Sequence, residues 1–279
     1  MTHYAMTIDL NRCIGCYNCQ IACKDEHVGN DFPPIAVSQP TFGHFWMGIE
    51  ERERKLSPSH IRVVYIPRLC QHCGEAACIR AARNGAVYRR PDGIVIIDPE
   101  KAVGQKHLVE ACPNGAIFWN EAKNLPQKCT FCAHLLDDGW KEPRCVQTCP
   151  TGCLHFGDLD DPDSDIARFR REQQPEPLRP ELQNKPSVLY AGLPRPHVSG
   201  TVVYGDRDEL AAGVSLTLTG PSATLTARTD AFGDFAFDDV APGRYSLQCS
   251  AAGYAPFTRT FDMTGDILYL GEIFLQPAG

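Results

Sequence analysis

The sequence predicts an α+β protein made of two unlike parts. Three observations carry this. All but one of the fourteen cysteines fall within residues 1–156, in short groups set among small helices and strands. From about His197 onward, apolar and polar residues alternate with period two, broken by turn residues, as in a sandwich of short half-buried strands. Between the two parts, residues 157–196 gather acidic residues and then prolines, the composition of a linker.

The totals narrow the function. A chain of 279 residues has room for a sizeable core and two domains. A formal charge of -7 offers no basic field for nucleic acid. No apolar run approaches the roughly 20 residues that span a bilayer, so no direct membrane insertion is expected. Cysteines two residues apart in loops suit metal ligation better than structural disulfides, and the absence of a signal-peptide pattern in Met1–Leu10 leads to an expected cytoplasmic location.

Taken in order, a short strand over Ala5–Leu10 leads into Cys13-Ile14-Gly15-Cys16-Tyr17-Asn18-Cys19-Gln20-Ile21-Ala22-Cys23, with a helix beginning near Asn18. Spacings of two, two and three residues match the bacterial-ferredoxin run that ligates 4Fe–4S clusters. Three thiolates on one curled loop reach three corners of a cubane, and the fourth points toward a second cluster held by another run. Residues 25–68 form an insertion with no cysteine. Its aromatic patch Gly43–Ile49 and charged run Glu50–Lys55 suggest a partner-facing surface or, equally, a strand pair with one solvated face.

Three further groups follow. The second is Cys70-x2-Cys73-x4-Cys78, after which Ala82-Arg83 stand where a complete run has Cys-Pro. Gly85–Tyr88 and Asp92–Asp98 read as a hairpin. In the third group Ala102, Gln105 and Leu108 occupy the three cysteine positions and only Cys112 remains. The fourth is Cys129-x2-Cys132-x12-Cys145-x3-Cys149-Pro150. By ferredoxin pairing, the second and third groups give one ligand set, Cys70, Cys73, Cys78 and Cys112. The complementary set would need positions 82, 102, 105 and 108, and all four are other residues. Random loss would scatter over both sets, so the pattern reads as one vacated cluster slot. The same pairing of the first group with the fourth gives Cys13, Cys16, Cys19 and Cys149, and Cys23, Cys129, Cys132 and Cys145. Three 4Fe–4S clusters are expected, with twelve cysteines as iron ligands.

Zinc is the competing reading, but zinc sites use separated Cys-x2-Cys pairs with a second pair or histidines, which a run of three cysteines does not resemble. His72, His107 and His134 lie near the cysteine loops and are read as hydrogen-bond donors or surface residues rather than ligands. Lys128 and Arg144 adjoin ligands, where positive charge can raise a cluster's potential or simply face solvent. Cys153 is read as a buried spare thiol.

In the linker, Ile166–Gln173 reads as a short polar helix ahead of the prolines. Seven strands follow, over Val198–Tyr204, Val214–Thr219, Ala223–Thr229, Asp234–Phe237, Arg244–Ser250, Phe257–Asp262 and Ile267–Leu275, which suggests an immunoglobulin-like or transthyretin-like sandwich. Tyr245, Leu247 and Cys249 share a face, so Cys249 belongs to the core. The stretch Thr229–Phe235 with Pro242-Gly243-Arg244-Tyr245 resembles carboxypeptidase regulatory-like modules, which supply docking surface. No catalytic constellation is present in it.

The four-group cysteine architecture resembles the iron–sulfur subunits of the dimethyl sulfoxide reductase family of molybdenum or tungsten enzymes. Within that family it is similar to the small subunits of the pyrogallol–phloroglucinol transhydroxylase type. Gly43–Glu50, Gln127–Asp138, the vacated slot and the C-terminal sandwich carry the likeness. The resemblance implies a tandem ferredoxin-like domain and a large catalytic partner subunit carrying a bis-molybdopterin guanine dinucleotide centre, with this chain as its electron-transfer subunit and hydroxylated aromatics as the substrates. Relatives with four clusters pass electrons to a membrane subunit, and loss of a slot implies a shortened path. The alternatives are a partner reducing dimethyl sulfoxide, polysulfide or an arsenic oxyanion, and a stand-alone polyferredoxin whose sandwich is a binding module.

Overall fold

The computed structural model describes residues 2–57 and 60–279, with 54–57, 60 and 62 as backbone only. The side chains of Arg54 and Lys55 in the charged run therefore lie outside the described residues. The chain divides into two compact units, one running to Glu51 and resuming over Tyr65–Leu193, the other combining Arg52–Val64 with Pro194–Gly279.

In the first unit, strand Tyr4–Asp9 is the centre of a three-stranded sheet. It pairs antiparallel with Leu154–Asp158 and parallel with Val188–Ala191. Ala5, Met6, Thr7 and Ile8 are all buried, so the strand reads as a near-continuous apolar run instead of an alternating one. Helix Asp165–Gln173 packs on this sheet through buried Ile166. Its first turn is capped by Ser164, whose hydroxyl accepts from the Ala167 N–H at 3.3 Å. The region read as a linker therefore contributes the expected helix and, unexpectedly, a sheet strand. Val188-Leu189-Tyr190-Ala191 is apolar enough to be buried, and its partner lies at the other end of the unit's sequence.

Helix Asn18–His27 buries Cys19, Ala22, Cys23 and His27, the i, i+3, i+4, i+8 face of an α-helix. The insertion carries the strands Met47–Ser57 and His60–Leu69, which pair with each other. Hairpin Val87–Arg89 with Val95–Ile97 sits over a small core of Ala86, Ala102, Leu108 and Ile117. A second hairpin, Phe118–Asn120 with Leu125–Gln127, delivers the chain to the fourth cysteine group.

The second unit is a sandwich of two sheets. His197–Tyr204 lies between Asp234–Asp238, antiparallel to it, and Ile267–Leu275, parallel to it, and also pairs with Glu209–Leu210. The facing sheet runs Thr224–Arg228, Ser215–Thr219, Gly243–Ser250, Phe257–Met263. Seven of these strands fall where the alternation places them. Glu209–Leu210 is an additional strand, too short for a period-two signal. Cys249 is buried opposite Leu216, among Leu218, Leu247 and Phe237.

Candidate metal centres

The sheet explains how distant cysteines meet. Antiparallel pairing of Ile8 with Leu154 lays the loop after the first strand beside the loop before Leu154–Asp158, and the Asp9 N–H donates to the Cys153 carbonyl at 2.8 Å. The first loop turns at Gly15, in the left-handed region at φ 66°, where a Cβ would lie 2.5 Å from the Tyr65 ring. Only glycine fits there.

The thiols fall into three neighbourhoods. Burial pushes the Cys19 thiol up to about 12, helped by the negative charge of Cys13, Cys149 and Cys16. Burial also raises Cys23 and Cys145. Cys23 feels Cys129 and Cys132 most and then Cys19, and Cys145 feels Cys132, Cys23 and Cys129 most and then Cys19. Cys73 is pushed up to about 12 by burial and by Cys70, Cys112 and Cys78. Those last four cysteines line a single small cavity. Cys129, pushed up to about 12 by burial, next feels Cys70, so the second and third neighbourhoods adjoin.

These neighbourhoods suit a polynuclear group. Among the described residues, no three or more His, Cys, Asp or Glu side chains form a group placed to hold a single metal ion. Four cysteines bordering one cavity suit the ligands of a cluster better than those of a single ion. Backbone N–H groups point at the sulfurs, from Ala116 to Cys112 and Phe131 to Cys129 at 3.4 Å each, and from Cys153 to Cys149 at 3.3 Å. Such donors stabilise thiolates that burial alone would keep protonated, and bound metal deprotonates a thiol outright.

The vacated positions are filled. Ala102 and Leu108 are fully buried in the small core, with Ala82 packed against it. Gln105 spans the gap: its Oε1 accepts from the Arg83 N–H at 2.9 Å, and its Nε2 donates to the carbonyls of Arg83 at 3.2 Å and Lys101 at 2.8 Å.

Of the histidines, His107 is exposed and bonds the Ala81 carbonyl, and His134 bonds Glu26 and stacks on Phe32. His72 is fully buried, and its Nδ1 accepts from the Val95 N–H at 3.1 Å. Arg144 is paired with Glu26 at 3.2 Å, whereas Lys128 is buried and donates to carbonyls. Cys153 is buried, with its Sγ 3.6 Å from the Cys149 sulfur; its thiol hydrogen bond holds Cys13 down at about 6. Sequence reading missed His27, whose Nε2 lies 3.9 Å from the Cys132 Sγ. Its position, four residues after Cys23 on one helix, was the available signal.

Residues 61–159 match the 4Fe-4S dicluster domain family, and residues 197–267 match the carboxypeptidase regulatory-like domain family. Fold and sites together define an iron–sulfur electron-transfer subunit carrying 4Fe–4S clusters. The chain is 42% identical over 261 residues to the pyrogallol hydroxytransferase small subunit of Pelobacter acidigallici, covering 91% of this chain and 92% of that one. It is 34% identical over 219 residues to a putative dimethyl sulfoxide reductase iron-sulfur subunit of Halobacterium salinarum, covering 68% and 79%. With a sulfite dehydrogenase subunit of Allochromatium vinosum it shares 33% over 251 residues, covering 86% and 100%. The chain belongs to the iron–sulfur subunits of the dimethyl sulfoxide reductase family of molybdopterin enzymes. It is the electron-transfer subunit of an oxidoreductase or transhydroxylase complex, which implies a catalytic partner. Among the described residues no helix is long and apolar enough to cross a membrane.

Proposed function

We propose that this chain holds three 4Fe–4S clusters in a double ferredoxin-like domain over residues 1–156 and serves a large bis-molybdopterin subunit acting on hydroxylated aromatic compounds. Cys13, Cys16, Cys19 and Cys149 would hold one cluster, and Cys23, Cys129, Cys132 and Cys145 the next. Cys70, Cys73, Cys78 and Cys112 would hold the third. The observation that supports the reading is the lining of a single cavity by Cys70, Cys73, Cys78 and Cys112, beside a position filled by Gln105. In this reading the helix and strand of residues 157–193 complete the iron–sulfur unit, and the sandwich over 197–279 is a docking module.

Each cluster, when bound, takes up and returns one electron. The protein supplies ligands, N–H donors to sulfur, and burial. Cys16 is exposed and flanked by Ile14 and Ile21, each 62% exposed, so protein cover is thinnest there, and that face meets the catalytic partner. At the other end Ala82, Ala102, Gln105 and Leu108 close the path. The chain therefore feeds no membrane subunit and suits a reaction without net redox change, as transhydroxylation is. The substrate class follows from the relative named for pyrogallol, which covers nearly the whole chain.

Anaerobic copurification of the native complex tests this. About twelve irons per small subunit are expected from three cubanes of four, together with a pterin-bearing partner that converts hydroxylated aromatics. Isolation alone and stable, or quinone-analogue turnover as fast as the main reaction, would count against it.

A further inference from the structure

Lys128 carries a charge that the protein itself does not balance. The side chain is 2% exposed. Its Nζ donates to the carbonyls of Val95 and of Cys129, the latter at 2.9 Å, and no carboxylate among the described residues pairs with it. Arg144 and Arg90, also near the cysteine groups, are matched by carboxylates, Glu26 at 3.2 Å for the first, Asp137 at 2.6 Å and Asp92 at 2.9 Å for the second. Half-buried Lys24, which bonds Gln39 and the carbonyls of Pro40 and His44, is less deeply enclosed than Lys128. A buried ammonium held only by neutral carbonyls is costly unless an anion lies close by.

The missing anion has a place. Lys128 lines the cavity bordered by Cys70, Cys73, Cys78 and Cys112. After burial, its charge is the strongest influence on Cys78, and it acts less on Cys112 and on Cys129. The residue after it is Cys129, of the adjoining set. A 4Fe–4S group with four thiolate ligands carries net negative charge, and an added electron increases that charge by one.

We propose that Lys128 is the fixed counter-charge of the cluster held by Cys70, Cys73, Cys78 and Cys112, raising its reduction potential and making that position the terminal electron store of the chain. The proposal rests on the ligand assignment above. The stored electron arrives from the adjoining set and leaves by the same route, since Gln105 and Leu108 fill the position beyond. No bond is made or broken.

The test is a redox titration of the intact complex followed by electron paramagnetic resonance, with a Cys78→Ala variant identifying the signal of this cluster. Lys128→Gln, which keeps a donor but drops the charge, is expected to weaken reduction of that signal about tenfold. That is a downward shift of about 59 mV for one electron. The other signals should change far less, and Lys128→Arg should stay close to wild type. Loss of the cluster in Lys128→Gln but not in Lys128→Arg also supports the charge. An unchanged potential in Lys128→Gln, an equal shift of all signals, or loss of the cluster in both variants overturns the proposal. If Cys78→Ala removes no signal, the ligand assignment itself fails, and the proposal fails with it.

Discussion

The imidazole of His72 stacks on the phenyl ring of Phe131, with centroids 3.8 Å apart and planes 24° from parallel. The two residues hold equivalent places in Cys70-Gln71-His72-Cys73 and Cys129-Thr130-Phe131-Cys132, and both adopt left-handed backbone, at φ 43° and 51°. The stack is thus the joint between two cysteine loops. With Nδ1 accepting from the Val95 N–H, the neutral ring carries its hydrogen on Nε2, which has no partner among the described residues. Burial, aided by Lys128 and Arg89, holds its pKa well below the usual range and keeps it neutral.

His72→Phe keeps the stack but strands the Val95 N–H. We expect a loss of about 1–3 kcal/mol in stability with iron content unchanged, read from denaturant unfolding and iron assay. Loss of iron from this variant would mean that the imidazole is itself a ligand.

Cys19 and Cys23 stand one turn apart on helix Asn18–His27, yet the thiols that act most on each differ, Cys13 on the first and Cys129 on the second. Cys23→Ala should therefore abolish the same paramagnetic signal as Cys145→Ala, while Cys19→Ala abolishes the one lost in Cys149→Ala. A shared signal for Cys19 and Cys23 would refute the crossed pairing.

Gln105 makes three hydrogen bonds that stitch the loops around positions 83 and 101. Gln105→Leu should cost about 1–3 kcal/mol without altering iron content, because the slot it fills holds no cluster. A rise or fall of about four irons would contradict that.

What was legible in the sequence was local. Cysteine spacing points to iron–sulfur chemistry because a loop of a few residues must wrap one cluster, and alternation reveals sandwich strands because each buries one face. The position of strand Val188–Ala191 was not legible: it lies between Pro186 and Pro194 and pairs in parallel with a strand at the far end of its unit's sequence. His27 was hidden because its role depends on Cys132, which belongs to another group. Lys128 stood beside a ligand in plain view, but its lack of a carboxylate partner is a three-dimensional property.

Cys249 tests the core reading of the fourteenth cysteine. It is buried opposite Leu216, and burial raises its thiol to about 11. Cys249→Ser places an unpartnered hydroxyl there and should destabilise the sandwich by about 1–3 kcal/mol, with all clusters retained. An iron deficit in this variant would show that the thiol serves a metal.

His155 gives the acid side of the stability profile. Its ring stacks on Phe169 at 4.2 Å, and its Nε2 is buried without a partner among the described residues. Burial, and then the charge of Arg12, lowers its pKa, while Asp9 and Asp165 pull weakly the other way. The sign follows from proton binding. Below the unfolded value of about 6.5 the unfolded chain takes up a proton that the folded chain resists. The contribution of His155 is therefore present above that pH and is lost as pH falls toward the lower folded value. Between about pH 7.5 and about pH 5.5, wild type should lose more denaturant resistance than His155→Phe, which keeps the stack and cannot titrate. Parallel curves for the two proteins would show that His155 takes up its proton as readily in the folded state as in the unfolded one.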